Sequence, residues 1–207
     1  MQSGQPFARN THLYSKGIRN YTFMQHHYAT DEYNLYQEGK RGKPSAQQWL
    51  YAEHYSMVAA VSLRYVDSRP DAEEVVADSF IRFFEALKTS FQYKGEGSMK
   101  AYLKKVTVNQ ALMFLRRQRI TFEEMDEQYE QLADVDLDAL GQLAAKDILK
   151  AVQQLPAGYR TVFNMYVMEG YNHAGIAEEL GISVATSKTQ LMKAKLQLQK
   201  TLSVYER

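Results

Sequence analysis

Cysteine is absent from all 207 residues, which excludes disulfides, cysteine-ligated zinc and thiol catalysis. No run of about 18 apolar residues occurs, so no membrane-spanning helix is expected. The first residues lack the continuous apolar core of a signal peptide, and a reducing cytoplasm is the expected compartment. Also missing are metal-ligand spacings, a Gly-rich phosphate loop ahead of a Lys-Ser/Thr pair, and any nucleophile–base pair. His12, His54 and His173 stand alone. His26 and His27 are adjacent, so their side chains diverge, and no third ligand lies near. Neither a metal nor a cofactor is expected, and an enzyme is disfavoured. No β-strand alternation rises above noise.

What is present is helical periodicity and segregated charge. The net charge of +1 is uninformative, but its distribution is not. Lys88, Lys94, Lys100, Lys104, Lys105, Arg116, Arg117 and Arg119 face a single acid, Glu96, in their own stretch. Between Thr121 and Asp138 the only charges are acids: Glu123, Glu124, Asp126, Glu127, Glu130, Asp134, Asp136 and Asp138. A basic block suits phosphates and an acidic one repels them.

The pattern predicts an all-α chain of two helical domains joined by an acidic linker. Residues 1–30 are polar and aromatic with no defensible period, and are expected to be a flexible extension; Met24 is a candidate start. Residues 31–119 form the first domain, 120–141 the linker and 142–207 the second domain. In the first, a short helix from Asp31 is expected to end at Gly39. A long helix follows Ser45 as N-cap, and another opens on the capping-box pattern Asp71–Glu74. The latter carries Val76, Phe80, Phe83, Phe84 and Leu87 inward and Asp71, Glu73, Glu74 and Asp78 outward. The loop FQYKGEGSM, with Gly95 and Gly97 flanking Glu96, precedes a helix capped by Ser98. On that helix Tyr102, Lys105, Asn109 and Arg116 lie outside. Aromatics interleaved with bases suit stacking on unpaired nucleotides; core-edge tyrosines are the alternative. The linker's 22 or so residues can span roughly 75 Å.

Tyr171–Lys195 reads as a helix-turn-helix. Ile176, Ala177 and Leu180 form the buried stripe of its first helix. Gly181 supplies a left-handed C-cap, and Ser183 caps the second helix. That second helix is the one that enters a DNA major groove; an ordinary helical hairpin is the alternative. Lys188, Thr189, Met192 and Lys193 are the candidates for the groove, and Tyr171, Thr186 and Gln190 for phosphates. The free N–H groups at its start also suit a phosphate.

The segments DAEEVVADSFIRFFEAL, FQYKGEGSMKAYLKKVTVNQALMFLRRQR and LPAGYRTVFNMYVMEGYNHAGIAEELGISVATSKTQLMKAK, in this order and spacing, resemble the bacterial RNA polymerase sigma factors of the extracytoplasmic-function (ECF) subfamily. The resemblance spans about residues 31–202. It implies a non-enzymatic initiation factor that binds core polymerase and promoter DNA and is commonly held by an anti-sigma factor. Asp71, Glu74, Val75, Asp78, Phe80 and Phe83 are then expected to dock on the β′ coiled coil, and residues 155–163 on the β flap. Tyr93, Lys94, Gly95, Glu96, Gly97, Ser98, Tyr102, Lys105, Asn109 and Arg116 are expected at the melted −10 strand, with residues 94–98 holding a flipped base. The helix-turn-helix is expected on the −35 duplex, and the linker in the RNA path. The chain departs from the family at Met113, where Asp is frequent. It departs also at Ser187, where Val is usual, and at Gln190 and Met192, where Arg is common. A free-standing operator-binding dimer leaves the basic helix, the Asp71 helix and the linker unexplained.

Overall fold

The computed structural model describes residues 31–118 and 145–202. The N-terminal extension, with Met24, His12, His26 and His27, lies outside these residues, as does the acidic linker. Eight α-helices and one π-helical turn make up the described part. They are α1 (Glu32–Lys40), α2 (Pro44–Tyr65), α3 (Arg69–Thr89), α4 (Ser98–Arg117), α5 (Ala145–Gln153), α6 (Ala157–Phe163), the π turn (Asn164–Met168), α7 (His173–Leu180) and α8 (Val184–Leu202).

By packing, the chain divides into two compact units. The first holds residues 31–58 and 77–106, the second 59–76 together with 107–118 and 145–202. The division cuts α2, α3 and α4 rather than following the chain.

In the first unit, Asp31 caps α1 by accepting the Asn34 N–H at 2.9 Å. The helix does not stop at Gly39, as the sequence suggests. It runs to Lys40, and Gly42 takes the positive φ of 73°. Gly39 is buried, and a Cβ there would come within 3.1 Å of Leu87 Cδ1, so the residue serves close packing instead of termination. Phe80, Phe83, Leu87, Met99 and Leu103 are buried with Leu35 and Leu50 in this unit's core.

The second unit contains the start of α3. Its cap is Ser68, whose Oγ accepts the Asp71 N–H at 3.2 Å; Asp71 itself sits in the first turn, and α3 begins before Pro70. Likewise α2 begins on Pro44, whose missing N–H costs nothing at a helix start, so Ser45 is inside the helix. The C-terminal helices gather on α8, against which α5, α6 and α7 all pack. Arg160 is among the largest fully buried side chains. Its Nε donates to the Tyr65 carbonyl at 3.2 Å and its Nη1 to the Gln153 carbonyl at 2.8 Å, and it pairs with Asp67. Nearby, Asn164 Nδ2 donates to the Arg64 carbonyl at 2.6 Å, and Arg64 pairs with Glu169 at 2.7 Å.

Candidate nucleic-acid interface

The turn between α7 and α8 has the geometry that its sequence predicts. Asn172 caps α7 by accepting the Gly175 N–H at 2.8 Å. Gly181 ends the helix at φ 67°, and Ser183 Oγ accepts the Thr186 N–H at 2.9 Å to start α8. A Cβ on Gly181 would meet nothing within 4 Å, so only the left-handed backbone requires glycine there.

The face that α8 leaves open is narrower than sequence periodicity suggests. Lys188 is exposed, and Met192, Lys193 and Tyr171 are half-buried. Thr186, Thr189 and Gln190 are buried, which corrects their placement on an outward surface. The reason is that three helices cover a wide arc of α8. Thr186 moreover shares its hydroxyl with Ser183 Oγ at 2.8 Å. In exchange, the first turn of α8 shows Val184 and Ala185 to solvent next to Ser183, a feature visible only once the helix is placed. Lys193 Nζ lies 5.9 Å from the Tyr159 ring centre.

Ser187 is buried, and its Oγ lies 2.9 Å from His173 Nδ1; His173 also stacks on Tyr166, with centroids 4.7 Å apart. A hydroxyl thus replaces the expected apolar contact with a hydrogen bond, and His173 is not isolated. Desolvation, then the charges of Lys188 and Lys195, lowers the His173 pKa below its ordinary 6.5. The folded state therefore takes up this proton less readily than the unfolded chain. Its contribution to stability is present above pH 6.5 and is lost as pH falls from there through the lowered folded value. His54 is shifted the same way, mainly by burial. The expected result is a melting temperature that declines between about pH 7 and pH 5, with a shallower decline in His173→Gln. Thermal melts of both proteins across that range check it; identical slopes would contradict it.

A second surface lies on α4 and the loop before it. Gly95 and Gly97 adopt φ 106° and 80°, with open space where a Cβ would sit. The loop is closed on itself: the Lys94 N–H donates to Ser98 Oγ at 3.3 Å, and the Ser98 N–H to the Gly95 carbonyl at 3.1 Å. Glu96 and Lys94 are exposed. Tyr93 stacks on Tyr36 at 5.4 Å and meets Tyr33 edge-on at 5.4 Å. Desolvation, then the charges of Glu32, Glu96 and Asp31, raises its pKa above the ordinary phenol value. Tyr102 leans on Phe91 (4.9 Å) and Phe83 (6.4 Å) and is half-buried, anchored in the core with one side outward.

Along α4, Ala101, Lys105, Asn109, Met113, Arg116 and Arg117 are exposed, an i, i+4 stripe on one face. Met113 continues this stripe where a carboxylate is frequent in the resembling family; its Sδ lies 3.9 Å from Gln110 Nε2. Arg116 donates to the Glu179 carbonyl and lies 3.3 Å from Glu179 Oε2.

The docking residues need a correction as well. Val75, Phe80 and Phe83 are core side chains of α3. Asp71 and Asp78 are half-buried and Glu74 is exposed. The large apolar residue on the outward face is Ile81, 55% exposed and one to two turns beyond Glu74 and Asp78. Its spacing from these acids was a signal in the sequence, masked by the larger phenylalanines beside it. In 155–163, Leu155, Val162 and Phe163 are buried, whereas Pro156 is exposed and Tyr159 half-buried.

Among the described residues no cluster of three His, Asp or Glu could hold a metal, and no helix is long and apolar enough to cross a membrane. Among the described residues, an all-helical architecture with a helix-turn-helix and an aromatic and basic helix face is that of a DNA-binding protein. Residues 50–120 match the sigma-70 region 2 family model and residues 145–198 the sigma-70 region 4 model, together more than half of the chain. The chain is similar to the ECF RNA polymerase sigma-E factor of Haemophilus influenzae, 25% identical over 173 residues, covering 78% of this chain and 89% of that protein. It is also similar to the ECF RNA polymerase sigma factor SigE of Mycolicibacterium smegmatis, 27% identical over 160 residues, covering 74% of this chain and 60% of that one. A solved structure of the sigma factor RpoE with the anti-sigma factor NepR from Bartonella quintana aligns over 76% of this chain and 96% of that chain, at 19% identity and a TM-score of 0.43. The protein belongs to the sigma-70 family, in its ECF group. Such factors direct promoter-specific transcription initiation by RNA polymerase and are not themselves catalysts.

Proposed function

We propose that this sigma factor divides promoter recognition between its two surfaces, with residues 31–119 acting on polymerase and the −10 element and residues 142–207 on the −35 element. The observation that carries the reading is the exposed stripe Lys105, Asn109, Met113 on α4, which follows a loop shaped by two positive-φ glycines. Lys94 and Lys105 hold the backbone of the displaced strand, Tyr93 and Tyr102 offer stacking faces, and Asn109 contacts the strand by its amide. The loop at residues 94–98 receives an extruded base, whose unstacking cost of a few kcal/mol is offset by new contacts. Arg116 is a further cation for the strand once it leaves Glu179.

On the −35 duplex, Lys188 and Met192 face the major groove with the first turn of α8, where Met192 offers only apolar contact, for example to a thymine methyl. Lys193, Tyr171 and the free N–H groups at the start of α8 fix register on phosphates. Buried Thr186, Thr189 and Gln190 set the angle of α8. Glu74, Asp78 and Ile81 dock on the β′ coiled coil of core polymerase, and Pro156 and Tyr159 on the β flap. The acidic linker at residues 120–141 enters the RNA path, where its charge stands in for nascent RNA. The protein works in the cytoplasm and is released from an anti-sigma factor.

Reconstitution with core polymerase on selected promoter fragments tests this. Asn109→Ala should slow promoter opening more than it weakens binding to closed duplex. Lys188→Ala should weaken duplex binding by about 1–3 kcal/mol in a sequence-dependent way. An equal loss of opening and duplex binding in Asn109→Ala sinks its strand-contacting role.

A further inference from the structure

The turn between α1 and α2, GKRGKP at residues 39–44, is basic and lies outside both DNA-facing surfaces. Its shape is fixed by its own backbone. The Arg41 N–H donates to the Gln37 carbonyl at 3.2 Å, the Gly42 N–H to the Gly39 carbonyl at 2.9 Å and the Lys43 N–H to the Glu38 carbonyl at 3.0 Å. Lys40, Arg41 and Lys43 are exposed on it. Lys88, exposed in the last turn of α3, lies across the same turn: a Cβ on Gly42 would come within 3.3 Å of its Cε and 3.5 Å of its Nζ. Glu38 answers one of these charges, pairing with Lys43 at 2.5 Å. Glu85, a turn before Lys88, faces Arg82 at 3.6 Å instead.

Helix electrostatics accounts for only part of this cluster. Lys40 and Lys88 end helices, where the macrodipole favours a cation. Lys43 does the opposite: it immediately precedes α2, whose first turn holds no acid, so it stands at the positive end of a helix dipole. A rigid turn that gathers like charges against their mutual repulsion concentrates anions around it. The turn is also continuous with the loop before α4. At its start α1 is tied to that loop by Glu32 Oε2, which accepts the Gly97 N–H at 2.6 Å. At its end Lys40 Nζ lies 5.9 Å from the Tyr36 ring centre, and Tyr36 stacks on Tyr93, the residue before Lys94, at 5.4 Å. These residues all belong to the first unit, whereas Arg116, towards the other end of α4, contacts Glu179 of the helix-turn-helix. A strand laid along α4 away from the helix-turn-helix therefore passes the loop and then meets the basic turn.

We propose that Lys40, Arg41, Lys43 and Lys88 hold the phosphates of the unpaired non-template strand just downstream of the −10 element, a contact that rests on the role proposed for α4 at that element. Lysine and arginine neutralise phosphates whatever the base, so the turn lengthens the grip on the strand and adds nothing to sequence choice.

The test titrates the full chain, bound to core polymerase, with two promoter fragments. Both are duplex through the −35 element and carry the non-template strand alone from the −10 element. In one the strand stops at the end of that element, and in the other it runs on downstream. The triple variant Lys40→Gln, Arg41→Gln, Lys88→Gln changes only exposed side chains. It should lose about tenfold in affinity for the longer fragment, with a salt dependence shallower by about two, from about 0.7 for each of three phosphates released. It should bind the shorter fragment and core polymerase as the wild type does. Undiminished affinity for the longer fragment overturns the assignment, and so does an equal loss on both. Weaker binding to core polymerase would give the turn to a protein partner and overturn it too. A wild-type complex that binds the −10 single strand no better than duplex would bring down the α4 reading first, and this contact with it.

Discussion

Phe83→Ala should destabilise the protein by about 3–5 kcal/mol, whereas Ile81→Ala, two residues away on the same helix, should leave stability within about half a kcal/mol. Phe83 is 0% exposed and packs against Phe84 and Tyr102, so truncation removes buried apolar area and leaves a cavity that its neighbours only partly fill. Ile81 is 55% exposed and gives up little on truncation. The order reverses for polymerase. Ile81→Ala should weaken core binding several-fold with an unchanged melting curve, as loss of an apolar anchor amid acids would. Phe83→Ala should weaken it only as far as it unfolds the protein. Chemical denaturation and a core-binding titration on both variants measure the two effects. Loss of core binding in a fully folded Phe83→Ala would return the docking role to the phenylalanines.

Arg160→Met is the second large effect, a loss of about 2–4 kcal/mol. Arg160 is 1% exposed, while its partner Asp67 is 70% exposed, so the pair is lopsided. Removing the guanidinium strands no buried charge, because Asp67 remains in water. The loss comes from the Tyr65 and Gln153 carbonyls, which each lose a charged donor in a place water does not reach easily. Methionine fills part of the volume, which limits the cavity term. Asp67→Asn should cost less than this, since the asparagine still offers an amide oxygen and Arg160 keeps its two carbonyls, the loss being the counter-charge of a buried guanidinium. Denaturant midpoints of the two variants give the comparison. A larger loss in Asp67→Asn than in Arg160→Met would show that charge, not carbonyl pairing, governs this cluster.

The buried tyrosine beside Arg160 follows the same logic from the other side. The Tyr65 hydroxyl is buried without a hydrogen-bond partner among the described residues, and burial, with Glu169 adding to it, raises its pKa well above the ordinary phenol value. Its side chain stays neutral, and the main-chain carbonyl of Tyr65, not the hydroxyl, is the group that pairs with Arg160.

Local chemistry was legible wherever a residue acts on its own neighbours. Gly181, Ser183 and the flanking apolar stripe announce the helix-turn-helix because a left-handed cap and a hydroxyl N-cap are needs of the backbone itself. Gly95 and Gly97 announce a shaped loop for the same reason. The charge blocks and the all-helical class were equally open to reading, since composition and a 3.6-residue period survive in one dimension. Helix starts are less legible. Pro44 and Ser68 displaced Ser45 and Asp71 as starting residues, each by only one to three positions, because neighbouring residues compete for the same cap.

What tertiary structure alone decided is which side of a helix is spare. Period tells that α3 and α8 each have an apolar face, but its width depends on how many neighbours lie against it. Three helices around α8 bury Thr186, Thr189 and Gln190, and core packing of α3 buries Val75, Phe80 and Phe83 while leaving Ile81 outside. Contacts between distant residues were equally out of reach. Glu32 to Gly97, His173 to Ser187 and Arg160 to Tyr65 are each made by folding, from residue types that alone carry no address. The sequence by itself therefore determined the class, the family and the caps and turns, whose causes are local. The accessible faces and the pairing of lone polar groups were decided by the packed structure, because burial is a property of what surrounds a side chain.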